Sequence, residues 1–286
     1  MSHAPVRLQP PSQTPPGESA VYLRAITEDI LGWSDPGKRL REALAGDDFL
    51  LFAQRIRPLK IGIEPDCCEI LLRLREEEDH MLPPGGFFPV AEALDMLEDI
   101  DRWVVARALA WRAPFAYAAA EGFCSINLST DSICNPSFAG YVRSRVGAAG
   151  FPGRQICFEI TESDTLTHPA AARAFITTLK PLGCRFAMDN FGSVKVSFAH
   201  LKDLPVDFLK IDGSIVQNIL KNPGDLARAR AISLTCQRLG VRTIAGNVES
   251  PEVLAKLQEI GFDYAQGFGI AQPCQIGDLA AFERKS

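Results

Sequence analysis

No stretch of the chain approaches the ~18 to 20 consecutive apolar residues that a membrane-spanning helix needs, so no transmembrane segment is expected. Basic blocks are missing too: 30 lysines and arginines are scattered among 35 acids, for a net charge of -5. That balance argues against a nucleic-acid polymer or an anionic membrane as the main partner, and leaves room for a small anion held by a local cluster. The four histidines, at 3, 80, 168 and 200, have no metal-like spacing to one another or to cysteine, which argues against zinc. Eight cysteines occur without a CxxC pair or a leading signal peptide, so reduced thiols in a cytoplasmic protein are expected. Neither GxGxxG nor a Walker loop follows the first strand-like run, which removes the signatures of dinucleotide and P-loop folds.

What is present is an alternation of strands and helices. Five prolines among the first 16 residues make 1–20 a disordered lead, 21–37 read as an N-terminal helix and connector, and 38–286 as one domain. Strand-like runs occupy Phe49 to Ile56, Cys67 to Leu74, Gly122 to Leu128, Gln155 to Ile160, Arg185 to Asp189, Phe208 to Ile211, Val241 to Ala245 and Tyr264 to Gln266. Helical patterns fill most of the gaps: Pro89 to Met96, Ile100 to Trp111, Ser137 to Ala148, Ala170 to Leu182, Asp225 to Leu239 and Pro251 to Ile260. About eight strands with intervening helices predict an α/β fold of the TIM-type (β/α)8 barrel class rather than an open sheet. The acidic run Glu76 to Asp79 reads as a solvated loop. Trp103 and Trp111, eight residues apart on one helix face, read as core or dimer packing.

Within the strands, polar residues alternate with large apolar ones, as in Ser125-Ile126-Asn127-Leu128 and Cys157-Phe158-Glu159-Ile160. In a barrel of this kind functional groups collect at the C-terminal strand ends, so Asn127, Glu159, Asp189 and Lys210 converge on one mouth, with Glu69 beside them. Two glutamates, an aspartate and an asparagine carbonyl form an all-oxygen set suited to Mg²⁺ or Mn²⁺ and poor for zinc. Such ions bind phosphate oxygens and activate water, and a neighbouring lysine holds a phosphate oxygen or orients the water. Metal-assisted phosphodiester hydrolysis is the chemistry these residue types suggest.

The ordered segments Glu69-Ile70-Leu71-Leu72-Arg73, Ile126-Asn127-Leu128-Ser129, Phe158-Glu159-Ile160-Thr161-Glu162-Ser163, Asp189-Asn190-Phe191-Gly192, Leu204 to Asp212 and Gln266-Gly267 resemble the motifs of EAL domains. These are cyclic di-GMP phosphodiesterases that release pGpG. The resemblance spans about residues 38 to 282. It implies a barrel with one antiparallel strand, a bacterial cytoplasmic location and frequent homodimers. It also implies roles: Glu69, Asn127, Glu159 and Asp189 as metal ligands, Lys210 as the catalytic lysine, and Arg73 as a phosphate contact. Gln54 and Gln266 fall near the ligand, and Glu162 steadies a loop.

Three departures from the family pattern fall on catalysis. The second acid of the Asp-Asp pair is Asn190, whose amide bridges two metals poorly. The catalytic glutamate of Ala-Glu-Gly-Val-Glu falls on Gly246 in Ala245-Gly246-Asn247-Val248-Glu249. The loop Gly192 to Ser197 gains Val194 and Lys195, and Lys195 is a candidate source of compensating charge. Losing a positioned acid costs ~10² to 10⁴ in rate, so a degenerate cyclic di-GMP receptor with one Mg²⁺ or Mn²⁺ ion or none is expected. A weakly active phosphodiesterase rescued by Asp131 or Glu249, and a scaffold that meets only a protein effector, are the alternatives.

Overall fold

A computed structural model describes residues 32–63, 67–77, 80–115, 122–150, 152–193, 198, 201 and 204–278. The lead over 1–20, most of the predicted N-terminal helix, and Lys195 lie outside these residues. Eight strands close a barrel: β1 (Phe49–Pro58), β2 (Cys67–Glu77), β4 (Cys124–Asn127), β5 (Ile156–Thr161), β6 (Arg185–Phe191), β7 (Phe208–Ile211), β8 (Arg242–Ala245) and β9 (Tyr264–Ala265). β1 is antiparallel to both β2 and β9, and the remaining neighbours are parallel. Two short antiparallel strands, β3 (His80–Leu82) on β2 and β10 (Cys274–Gln275) on β1, extend the rim.

Among the described residues the α-helices are α1 (Pro36–Ala45), α2 (Pro84–Ala93), α3 (Leu97–Arg112), α4 (Thr130–Cys134), α5 (Pro136–Ala149), α6 (Glu162–Thr167), α7 (Pro169–Leu179), α8 (Gly213–Asn218), α9 (Pro223–Leu239) and α10 (Pro251–Ile260). Six begin at a proline, where the missing amide hydrogen costs nothing. Local caps set several of these starts, since Asp35, Asn135, Asn222 and Ser250 each accept a first-turn amide. The segment Ser34-Asp35-Pro36-Gly37 thus supplies both the cap and the first residues of α1.

Strand parity divides the interior into two layers. Ile56, Cys67, Phe123, Cys157, Ala187, Phe208, Ile244 and Tyr264 form one buried cluster. Two residues along each strand lie Gln54, Glu69, Ser125, Glu159, Asp189, Lys210, Gly246 and Gln266, all on the same faces. The lower layer is an aromatic plug, with ring centroids 4.6 Å apart for Phe123 and Phe208 and 6.0 Å for Phe208 and Tyr264. The polar layer thus rests on a dry floor. The opposite faces of the strands, including Ile70, Ile126, Phe158, Phe186, Met188 and Leu209, pack in the larger core cluster with the helices.

One surface reading changes. Glu76 and Glu77 belong to β2 rather than a loop, and Glu76 accepts the indole N–H of buried Trp33 at 2.9 Å; Glu78 and Asp79 lie outside the described residues. Trp103 packs tilted against Phe49 with ring centroids 5.7 Å apart, and Trp111 donates to Ile276 O at 3.1 Å, so both tryptophans pack within the domain, as expected.

Candidate functional site

Glu69, near the start of β2, is the hub of the polar layer. Its Oε1 accepts from Asn127 Nδ2 at 2.6 Å, and its Oε2 accepts from Lys210 Nζ at 2.7 Å and Gln266 Nε2 at 2.6 Å. Lys210 reaches across the mouth to Glu159 Oε2 at 2.9 Å. Gln266 Nε2 also donates to Gln54 Oε1 at 3.0 Å, and Gln54 Nε2 to Ala271 O at 3.0 Å. Six strands or strand ends thereby converge; strand parity had placed Asn127, Glu159 and Lys210 on this mouth with Glu69 beside them, and the family resemblance had placed Gln54 and Gln266 near it.

Electrostatics follow from one ammonium shared by several buried acids. Burial works to raise the Glu69 carboxyl, but Lys210 and the amide donors overcome it and hold the group below its ordinary value. Glu159 has the opposite outcome: burial dominates, Glu69 and Asp189 repel its charge, and it is pushed up to about 8 despite Lys210. Burial and the charge of Glu69 also raise Asp189. Lys210 itself is raised well above its usual range, because Glu159, Glu69 and Asp189 outweigh its desolvation.

A cavity of about 250 Å³ opens above this layer, with Arg73, Gly246 and Glu249 on its walls. Arg73 donates to Leu72 O at 2.7 Å and lies over the Phe52 ring at 5.8 Å; burial lowers its pKa and Glu69 opposes the shift. Gly246 leaves open space: an added Cβ would sit 3.9 Å from both Lys210 Cε and Ile211 O, an ordinary contact. Asn247, Glu249 and exposed Phe268 also line the cavity, and sequence spacing had not marked Phe268 or Asn247 as site residues. Asp131, weighed as a rescuing acid, lies on α4 and is not part of the lining.

Behind the mouth, buried Glu162 accepts Gly192 N at 3.0 Å, which braces the turn after β6. Just before that turn, at the penultimate position of β6, Asn190 is exposed with φ of 55°, a left-handed conformation that asparagine adopts more readily than most residues. On the other side, Val248 N donates to Gln266 O and Gly269 N to Val248 O, both at 2.9 Å. This close approach requires Gly267, where a Cβ would lie 2.3 Å from Val248 N. Gly267→Ala is expected to cost ~3 kcal/mol or more, read as a lowered midpoint in urea unfolding.

The donor chemistry can be tested against a hard cation. Glu159 Oε1 and Gln266 Oε1 are buried and have no hydrogen-bond partner among the described residues, so they are open to a cation or water. Both oxygens of Glu69 are already engaged, and the Lys210 ammonium bridges the two glutamates. Among the described residues no three His, Cys, Asp or Glu side chains close to metal-holding distance. The oxygen donors are of the type a hard cation takes, while Lys210 already pairs with one oxygen of each glutamate.

The fold and this mouth define a mixed α/β barrel with a charged pocket at the C-terminal ends of its parallel strands. The chain belongs to the EAL domain family, whose pattern matches residues 38–273. It is 34% identical over 235 residues to the cyclic di-GMP phosphodiesterase PdeB of Shewanella oneidensis, covering 82% of this chain and 28% of that one. It is 33% identical over 259 residues to the cyclic di-GMP phosphodiesterase PdeF of Escherichia coli, covering 91% and 34%. The chain therefore spans about a third of these relatives' lengths. Among solved structures, the FimX EAL domain of Pseudomonas aeruginosa bound to c-di-GMP superposes with a TM-score of 0.79 at 29% identity, covering 85% of this chain and 97% of that one. The family's phosphodiesterases are typically metal-dependent. No helix among the described residues is long and apolar enough to cross a membrane.

Proposed function

We propose that this chain is a catalytically impaired EAL domain that binds cyclic di-GMP and passes the signal on through conformational change, a second copy or a protein effector. The observation that carries the reading is Gly246. It opens onto the cavity beside Lys210, at the position of the family's catalytic glutamate, and places no acid there. Binding needs fewer parts: Arg73 supplies a cation for a phosphate, Gln54 and Gln266 supply amides, and the cavity remains open. Glu69, Asn127, Glu159 and Asp189 would hold one Mg²⁺ or Mn²⁺ ion, which when bound supplies charge for phosphate oxygens and lowers the pKa of water. Lys210 then holds an oxygen of the phosphate or positions water, with no general base opposite it.

A second reading, a weak phosphodiesterase, is favoured by Glu249, the one other acid besides Glu69 among the described cavity-lining residues. Calorimetric titration with cyclic di-GMP, with and without Mn²⁺, is expected to show saturable binding that Arg73→Ala weakens about tenfold or more. Absence of heat and of any thermal shift under both conditions overturns binding and leaves only the scaffold role.

A further inference from the structure

Asp164 ties together the loops that leave β4 and β5. Thr161, which ends β5, caps α6 by accepting Asp164 N at 3.1 Å, and its hydroxyl returns a bond to Asp164 Oδ2 at 2.7 Å. Helix capping accounts for that half. The other half is not local: Thr130 Oγ1, three residues beyond Asn127, donates to Asp164 Oδ1 at 2.6 Å across 34 residues of sequence. A second carboxylate, buried Asp101 on α3, holds the same β4 loop from its far side. Its Oδ2 accepts from Ser129 N at 2.8 Å, Ser129 Oγ at 2.6 Å and Ser132 Oγ at 2.7 Å. Side-chain hydrogen bonds reach this loop from two carboxyl groups on separate elements, so the loop behind Asn127 is fixed more firmly than the cap of a six-residue helix requires.

We propose that Asp164 is a positioning residue. Its two oxygens, through the Thr130 and Thr161 hydroxyls, set the separation of Asn127 and Glu159, which are direct partners in the β4–β5 register. The inference rests on the reading above that these two residues serve the binding site, where side chains must be held to within ~0.5 Å. It also accounts for a ligand platform kept rigid beside a lost catalytic acid.

The test uses Thr130→Val, which removes only the hydroxyl at nearly constant volume, and Thr130→Ser, which keeps it. The reporter is the side-chain NH₂ resonance of Asn127 in the ligand-free protein, assigned by its loss in Asn127→Asp. Thr130→Val is expected to shift or broaden that resonance and to weaken cyclic di-GMP binding about tenfold. Thr130→Ser and the surface control Thr178→Val leave both unchanged. An Asn127 resonance unmoved in Thr130→Val, or moved equally in Thr130→Ser, overturns the proposal. If the unaltered chain binds no nucleotide, the reading under Proposed function fails, and the resonance still decides whether Asp164 positions Asn127.

Discussion

Gly246→Glu is expected to raise cyclic di-GMP hydrolysis by ~10² or more in the presence of Mn²⁺, the contribution of one well-placed acid or base. The backbone permits it: Gly246 has no positive φ, and its virtual Cβ meets only ordinary contacts. A carboxylate there enters the cavity beside Lys210, whose ammonium offsets part of the burial cost. Gly246→Gln, equal in size and without the acid, is expected to stay at the parent rate. Adding Asn190→Asp to Gly246→Glu should raise the rate further, because it restores a carboxylate able to bridge a second ion. Release of pGpG, followed by chromatography, reads all four proteins. A Gly246→Glu variant that folds, binds nucleotide and is no faster than the parent would show that the missing acid is not what limits this site.

Removal of Lys210 has the largest expected effect on stability. Lys210→Met leaves Glu69 and Glu159 buried without their shared cation, and breaking such a pair costs ~3 to 5 kcal/mol. The pH dependence has a definite sign. Glu69 is held below 4.5 in the folded protein, so its stabilising pairing with Lys210 is present above that value and lost as pH falls through the folded pKa. Lys210 is raised above 10.5, so its own contribution persists throughout the acidic and neutral range. Glu159, pushed up to about 8, favours the protonated fold and gives up stability as pH climbs from 4.5 toward 8. The penalty of Lys210→Met is therefore greatest near pH 8 and shrinks below pH 4.5, as urea unfolding of both proteins across that range would record. A penalty independent of pH would mean that packing of the lysine stem, not its charge, holds the layer together.

Much of this architecture is legible in the chain because period-2 alternation and fold closure constrain each other. Phe208 to Ile211 and Pro251 to Ile260 are recovered residue for residue, and the barrel strands differ from expectation only at their ends. The convergence of Asn127, Glu159 and Lys210 follows from parity, with Glu69 beside them, whereas Gln266 was expected there from the family resemblance. Other features depend on contacts distant in sequence. β3 and β10 span three and two residues, too short for a periodic signal, and exist because β2 and β1 offer edges. Glu76 reads as a solvated acid until Trp33, 43 residues away, is folded against it. Asp164 carries no signal in the sequence; its link between two loops exists only once Thr130 arrives from the previous unit. A motif comparison shows that an acid is absent at Gly246, but only the fold shows that the space for one remains.

The most direct test of the central claim is to incubate the unaltered chain with cyclic di-GMP and either Mg²⁺ or Mn²⁺, measuring bound nucleotide and released pGpG in the same samples. The account predicts saturable binding with no product above the level given by Glu69→Ala. Multiple turnovers to pGpG that Glu69→Ala abolishes would contradict it and make the chain an enzyme despite Gly246.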